Sequence, residues 1–168
     1  TSLMRQGVLI STTEHLLAAL YASGVDNAVI EINSLELPIL DGSCLPFIGM
    51  LKQAGLRRQR ARRSYLRLLR PVEVVDGSKR IAVFPSDGFR ITSSIDFPHP
   101  CVGRQSLELD LTPEVFEREI APARTFGFLD ELPKMTDMGL IRGGSLANAL
   151  VFTSDSVMNE GGLRFPDE

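Results

Sequence analysis

Five arginines within seven residues, "RRQRARR" at Arg57–Arg63, divide the chain into two segments of different character. The run has no apolar period, so it cannot supply the buried face of a helix or a strand. Before it the pattern alternates between helix and strand, whereas after it short strands follow one another with turn signals between them. The sequence therefore predicts an α+β fold in two units, residues 1–60 and 61–168, joined by an exposed linker.

The first unit contains two predicted helices. An extended segment over residues 1–10 leads to "STTE", a capping-box pattern that starts a helix at Ser11 or the next residue and carries it to about Ala22. The alternating, β-branched segment Asn27–Ile32 predicts a strand. After a loop, a second helix is predicted over Leu45–Ala54, and the glycine that follows is a natural end for it.

The second unit is predicted to be mainly antiparallel sheet. The segments "SYLRLLRPVEVV", "KRIAVFPS", "FRITSSIDF" and "SLELDL" have strand character, and Asp76–Gly77 and Asp87–Gly88 are hairpin turn signals. Thr112 is placed to cap a helix with Pro113 in its first position. The extended segment "ARTFGFL", a short helix in "DELPKMTDMG" and a strand in "NALVFTS" complete the predicted unit.

Composition narrows the functional class. The net charge of −3 gives no overall positive field to attract nucleic acid. No apolar stretch reaches the roughly 20 residues that a membrane span needs, so no transmembrane segment is expected. Two cysteines do not make a disulfide framework, and reduced thiols in a cytoplasmic protein are the simpler interpretation.

Glu14 and His15 lie side by side at the start of the first predicted helix and allow two interpretations. Glu14 could close the capping box while His15 packs beside Leu16 and Leu20. Alternatively, His15 could bind a metal ion and Glu14 could act as a general base. A zinc site normally needs three protein ligands, and the other histidine, His99 in "DFPHPC", is better suited to shape a loop. Spacing alone favours the cap.

The arginine run Arg57–Arg63 also allows two interpretations. As a basic patch it could bind nucleic acid, an anionic membrane or another partner, which would make the chain a non-catalytic α+β module. No aromatic residue is interleaved to stack on bases, so a solvated linker is the simpler interpretation. "RGGS" at Arg142–Ser145 lacks a phosphate-binding pattern and is better explained as a turn.

Several longer motifs occur in a fixed order: "STTEHLLAALYASGVDNAVIEIN", "PILDGSCLPF", "IDFPHP", "ARTFGF", "GGSLANALV" and "NEGGLRF". Together they resemble the zinc-dependent UDP-3-O-acyl-N-acetylglucosamine deacetylase family, which performs the committed step of lipid A synthesis in Gram-negative bacteria. The resemblance runs from Thr1 to Glu168. It implies a monomer of two similar α+β units of the ribosomal protein S5 domain 2-like type, with the active site between them and a UDP-sugar lipid as substrate.

The resemblance also assigns residues. His15 matches a zinc ligand, Glu14 matches the general base, and Thr125 matches the group that hydrogen-bonds the developing oxyanion. Lys79 and Phe97 match positions that hold the UDP group, and Phe126 matches one beside the sugar. The positions that match the acyl-chain passage are Phe128, Leu129, Leu132, Ile141, Gly144, Ser145, Leu146 and Val151.

The remaining parts of that active site do not appear in the sequence. The family's second histidine and its aspartate ligand are expected on a helix beyond Glu168, and the opening strands of the first unit are expected before Thr1. The chain is therefore expected to be truncated at both ends. With one of three ligands, it is expected to bind zinc poorly and to lack meaningful deacetylase activity by itself.

Overall fold

The computed structural model describes residues 1–137, 143–166 and 168, and these residues have an α+β architecture of two-stranded sheets and short helices. The predicted α+β class is therefore confirmed, whereas the two similar sandwich units stay a prediction. The first sheet is an antiparallel hairpin of β1 (Ser2–Arg5) and β2 (Val8–Ser11). Gln6 and Gly7 have φ values of 51° and 81°, as a tight two-residue hairpin turn requires. The single extended segment predicted over residues 1–10 is thus two paired strands.

Helix α1 (Glu14–Ala22) begins later than predicted, and the capping box is wrong. Thr13 occupies the N-cap position without a side-chain cap bond. Ser11 cannot serve as the cap because its backbone is held in extended structure: its N–H donates to Leu35 O at 2.9 Å, and its carbonyl accepts from Leu37 N–H at 3.2 Å.

The predicted strand over Asn27–Ile32 is also wrong, because none of its residues has strand structure. Val29 in its middle is 93% exposed. A β-branched, alternating pattern becomes a strand only where a neighbouring strand satisfies its backbone groups, and none of the described residues pairs with this segment. The second helix, α2 (Leu45–Ala54), has the predicted bounds and ends at Gly55, whose φ is 73°.

Two antiparallel hairpins follow the arginine run. The strands β3 (Val72–Asp76) and β4 (Lys79–Val83) pair across the predicted turn at Asp76–Gly77. The second hairpin joins β5 (Arg90–Asp96) to β6 (Arg104–Asp110).

The turn predicted at Asp87–Gly88 does not make a hairpin. The β4 and β5 strands belong to different sheets, and the residues between them form a loop. Instead β5 pairs with β6, and the carbonyl of Phe89 accepts from Leu111 N–H at 2.7 Å, which extends that ladder by one more bond. The strand predicted in "SYLRLLRPVEVV" is present only from Val72 onward, and Pro71 just before it has no N–H to donate.

Thr112 caps the next helix as predicted. Its hydroxyl accepts from Val115 N–H at 3.2 Å at the start of α3 (Pro113–Val115), which continues as a π-helical turn over Phe116–Ile120. The chain then forms β7 (Phe126–Phe128) and the predicted short helix α4 (Leu132–Asp137). The last strand, β8 (Leu150–Phe152), pairs with β7 in parallel.

The main hydrophobic core packs the π-helical turn against the two long helices. Its buried members are Ala19, Ala22, Phe47, Ile48, Phe116 and Ala121. The carbonyl of Ala121 accepts from the N–H groups of Cys44 and Leu45, at 3.0 and 3.2 Å, and so ties the start of α2 to the segment that leads to β7. A second buried layer is formed by β8, whose three residues are all buried.

Candidate active site

Glu14 lies in the first turn of α1 with an exposed carboxylate. Its Oε2 is 2.9 Å from the amino nitrogen of Thr1. An exposed glutamate carboxylate is ionised at neutral pH, which is the form that accepts a proton.

His15 is half-buried, and its Nδ1 atom has no hydrogen-bond partner among the described residues. A buried ring nitrogen without a partner is costly, so such an atom generally has a ligand, a metal or a water to satisfy it. The structure therefore does not support a simple core role for His15. Its environment fits one donor of a metal site, in which either Nδ1 binds the metal or Nδ1 donates a hydrogen bond to a supporting acceptor while the other ring nitrogen binds.

The described residues do not assemble the rest of a metal site. Within residues 1–137, 143–166 and 168, no group of three or more His, Cys, Asp or Glu side chains is arranged so that it could hold a metal ion. His99 is committed elsewhere, because its Nδ1 accepts from Cys101 N–H at 3.2 Å and its Nε2 lies 2.6 Å from Thr153 O. This arrangement confirms the loop-shaping role predicted for His99.

Thr125 is held between a tight loop and β8. Its N–H donates to Gly42 O at 2.8 Å, and its carbonyl accepts from Leu150 N–H at 2.9 Å. Gly42 has a φ of 86° and lies against the backbone of Asn148. This close approach of two loops fixes the backbone from which the Thr125 hydroxyl projects.

We expect Gly42→Ala to destabilise the protein markedly. An added Cβ would lie 2.0 Å from Asn148 O, and the positive φ would be strained as well. Gly77→Ala is the matched control, since Gly77 also has positive φ but has no atom within 4 Å of an added Cβ. Urea unfolding should show a larger loss for Gly42→Ala, by roughly 1–3 kcal/mol. Equal losses would mean that the contact with Asn148 does not constrain this loop.

Three of the predicted substrate-binding aromatics form one cluster. The ring centroids of Phe97 and Phe126 are 5.6 Å apart, those of Phe97 and Phe128 are 5.8 Å apart, and His99 and Phe152 pack against Phe128. Phe126 keeps 41% of its surface exposed. The structure thus brings Phe97 to β7 from the end of β5, so that Phe97, Phe126 and Phe128 form one aromatic cluster.

The described acyl-passage residues lie in β7, in the segment after β7 where Leu132 begins α4, in the loop before β8 and in β8. Leu129 N–H donates to Phe152 O at 2.8 Å, and Leu132 N–H to Leu129 O at 3.4 Å. Val151 is buried in β8. The loop residues Gly144, Ser145 and Leu146 are exposed. Ile141 lies outside the described residues.

Lys79 is separate from this group. It is exposed at the start of β4, opposite Asp76, in the β3–β4 hairpin. A cavity of about 350 Å³ lies between α1, α2 and α3, but it is at the end of α1 opposite to Glu14 and is lined by residues such as Ala22 and Ile48. That cavity is therefore distinct from the candidate site.

Sequence reasoning missed two arginine–carboxylate pairs around Thr125. Arg124 donates to both carboxylate oxygens of Glu168, from Nε at 2.6 Å and from Nη2 at 2.8 Å, and this pair is almost fully buried. Arg164 donates to Asp41 at 2.9 Å and to Pro122 O at 2.8 Å. The sequence marks these segments only as family motifs, because an isolated arginine or carboxylate carries no local signal of its partner.

Comparison with known proteins identifies the family. The family model described as LpxC, UDP-3-O-acyl N-acetylglycosamine deacetylase, matches residues 1–168. The chain belongs to this deacetylase family. A UDP-3-O-acyl-N-acetylglucosamine deacetylase of Solibacter usitatus (strain Ellin6076) is 57% identical over 168 residues, which is all of this chain and 57% of the relative. The deacetylase of Neisseria meningitidis (strain FAM18) is 46% identical over 165 residues, which is 97% of this chain and 54% of the relative.

The chain thus spans a little over half the length of these deacetylases. Membership in the deacetylase family favours the hydrolase interpretation over the non-catalytic module.

The arginine run is exposed, with Arg63 paired to Asp26 at 2.8 Å. Among the described residues, no helix is both long enough and apolar enough to cross a membrane.

The Asp41 carboxylate is expected to make the stability of the loop that contains Asp41 and Gly42 depend on pH in the acid range. Partial burial raises the pKa of Asp41, but hydrogen bonds from Ser43 and Arg164 outweigh it and hold the pKa below its ordinary value of 3.8. A carboxyl with a lowered folded pKa stabilises the fold at neutral pH, and this stabilisation is lost as the pH falls below about 4. We expect the stability difference between the parent and Asp41→Asn to shrink between pH 6 and pH 3 in urea titrations. A constant difference would contradict this coupling.

Proposed function

We propose that the whole protein carrying this chain is a zinc-dependent hydrolase that removes the N-acetyl group from UDP-3-O-acyl-N-acetylglucosamine, at the committed step of lipid A synthesis. The observation that carries this proposal is the Nδ1 atom of His15, which follows Glu14 at the start of α1 and has no hydrogen-bond partner among the described residues. It occurs in a chain that is 57% identical, over its whole length, to a protein of that name.

His15 would hold the zinc ion with further ligands from outside the described residues, and bound zinc would supply Lewis-acid polarisation of the amide carbonyl. Glu14 accepts a proton from the attacking water, since a glutamate carboxylate is ionised at neutral pH and can act as a general base. The Thr125 hydroxyl donates a hydrogen bond to the oxygen on which negative charge develops. The fixed backbone of Thr125 supports that role, since a donor must be in place before charge appears.

The aromatic cluster of Phe97, Phe126 and Phe128 supports a substrate-binding role for this face. Phe126 would contact the sugar and Phe97 the UDP group, while Lys79 would contribute a positive charge toward phosphate. The acyl chain would follow the apolar residues assigned to it by family resemblance: Phe128, Leu129, Leu132, Ile141, Gly144, Ser145, Leu146 and Val151. Each buried CH₂ of that chain is worth about 0.8 kcal/mol, so such a passage can dominate affinity.

We further propose that the protein is a cytoplasmic monomer of two similar α+β sandwich units, with a boundary at the arginine run. The exposure of residues 57–63 supports that boundary. Contacts of Phe116 and Ala121 with α1 and α2 would then form part of the interface between the units. The active site would lie near this interface, between the start of α1 and β7.

The direct test is an assay of the whole protein with UDP-3-O-acyl-N-acetylglucosamine. We expect acetate release that stops when a chelator removes zinc and returns when zinc is restored. A heat-unfolded sample is the control for non-enzymatic hydrolysis. Absence of acetate release from folded, zinc-loaded protein would overturn the proposed function.

A further inference from the structure

We propose that Arg124 is a positioning residue for Thr125 and that it acts through its buried ion pair with Glu168. This inference rests on the proposed deacetylase function and deepens it, because it assigns a role in that reaction to two residues outside the expected substrate contacts.

The side chain and the backbone N–H of Arg124 both make hydrogen bonds to the protein. Besides the two bonds to Glu168, its Nη2 donates to Gly162 O at 2.9 Å, and its backbone N–H donates to the same carboxylate at 3.1 Å. The side chain of Arg124 is 11% exposed and that of Glu168 is fully buried. A bidentate guanidinium–carboxylate pair fixes direction as well as distance, and burial protects it from screening by salt.

A second ion pair, between Arg164 and Asp41, holds the same segment before Thr125. Arg164 joins the carboxylate of Asp41 to the carbonyl of Pro122, and Asp41 in turn accepts from the N–H and hydroxyl of Ser43, at 3.0 and 2.8 Å. Between Asp41 and Ser43, Gly42 accepts the hydrogen bond from Thr125 N–H. The segment from Pro122 to Thr125 is therefore fixed at Pro122, at Arg124 and at the backbone of Thr125.

This geometry has a functional consequence because oxyanion stabilisation depends on the position of the donor. A displacement of about 1 Å in a reacting group can cost about 100-fold in rate. A lysine in place of Arg124 would keep the positive charge but could not form the planar two-bond fork. Loss of the fork alone would thus change where Thr125 sits without removing a charge from the buried site.

The test compares Arg124→Lys with Arg90→Lys in the whole protein. Arg90 is the matched control because it also makes two bonds to one carboxylate, that of Asp110, at 2.7 and 2.9 Å, but does so on the exposed β5–β6 sheet. We expect Arg124→Lys to lower kcat at least about tenfold with little change in KM, and Arg90→Lys to change kcat by less than about twofold.

A double substitution separates positioning from a purely structural effect. If Arg124 acts through Thr125, then Arg124→Lys should cost less than about twofold once Thr125→Val has removed the hydroxyl. The inference is overturned if the kcat losses of Arg124→Lys and Thr125→Val multiply in the double variant. It is also overturned if Arg124→Lys and Arg90→Lys have equal kcat values in an active parent. Either result leaves the proposed function intact. An inactive parent would instead overturn the proposed function.

Folding is monitored by circular dichroism at the assay temperature. If Arg124→Lys does not fold, Glu168→Gln provides the same comparison, since it removes the charge but keeps the shape and one acceptor. If neither variant folds, the pair is structural and the inference is overturned.

Discussion

Replacing Glu14 by glutamine in the whole protein is expected to lower kcat by about 10²–10⁴-fold while zinc remains bound, because general base catalysis contributes about that much to enzyme rates. The amide of glutamine matches the shape of the carboxylate but cannot accept the proton. The measurement is acetate release under saturating substrate, with the zinc content of the same sample determined by elemental analysis. Glu114→Gln is the control, since the Glu114 carboxylate lies in α3, away from the candidate site, and accepts a hydrogen bond from the Thr112 hydroxyl.

The zinc content of purified His15→Ala is expected to be lower than that of Glu14→Gln. Loss of a group that only supports a metal ligand costs roughly 10–100-fold in metal affinity. Removal of a direct ligand should weaken zinc binding by more than that. If both substitutions removed zinc equally and changed the helix content equally, Glu14 would be a structural residue at the start of α1. If neither removed zinc, His15 would not be a ligand.

Glu168→Ala is expected to lower the free energy of unfolding of the whole protein by about 3–5 kcal/mol. The substitution leaves the Arg124 guanidinium, 11% exposed, without the carboxylate that its Nε contacts at 2.6 Å. The cost arises because a charge that stays buried without its partner has lost its hydration and gained nothing in exchange.

The matched control is Glu73→Ala, which breaks the exposed pair between Glu73 and Arg80 on the β3–β4 hairpin. Exposed pairs are hydrated and screened, so a much smaller change is expected. Urea unfolding of the parent and both variants, with the slope of each transition compared, gives the two differences. Similar losses would show that the Arg124–Glu168 pair is not buried in the whole protein.

Local signals in the sequence were sufficient for several elements. The bounds of α2 follow from an apolar helical segment that ends at Gly55, and Thr112 with Pro113 specifies the start of α3. Asp76–Gly77 specifies the β3–β4 turn because a tight hairpin needs a residue with positive φ, and Gly77 has a φ of 58°. These features depend on residues within one or two turns of the chain.

Elements that depend on distant partners were not predicted correctly. Ser11 has the chemistry of a helix cap, but its backbone bonds to Leu35 and Leu37 hold it in extended structure. Asp87–Gly88 has the chemistry of a hairpin turn, but β5 pairs with β6 instead. Sequence patterns report what a segment can do, whereas the competing long-range bonds decide what it does.

The candidate site shows the same division. Family resemblance nominates Glu14, His15 and Thr125 as site residues, whereas spacing alone favours a cap and a core histidine. The two ion pairs around Thr125 join residues 44 and 123 positions apart, and no local pattern relates such residues. Their discovery required the fold.

The central claim is that His15 binds the zinc ion of a deacetylase, and anomalous X-ray scattering at the zinc edge tests it most directly. In crystals of the zinc-loaded whole protein we expect an anomalous peak about 2.0–2.1 Å from a ring nitrogen of His15, with the Glu14 carboxylate close to the metal but not bound to it. A fully occupied zinc peak away from the start of α1, with His15 bonded only to protein atoms, would contradict the claim.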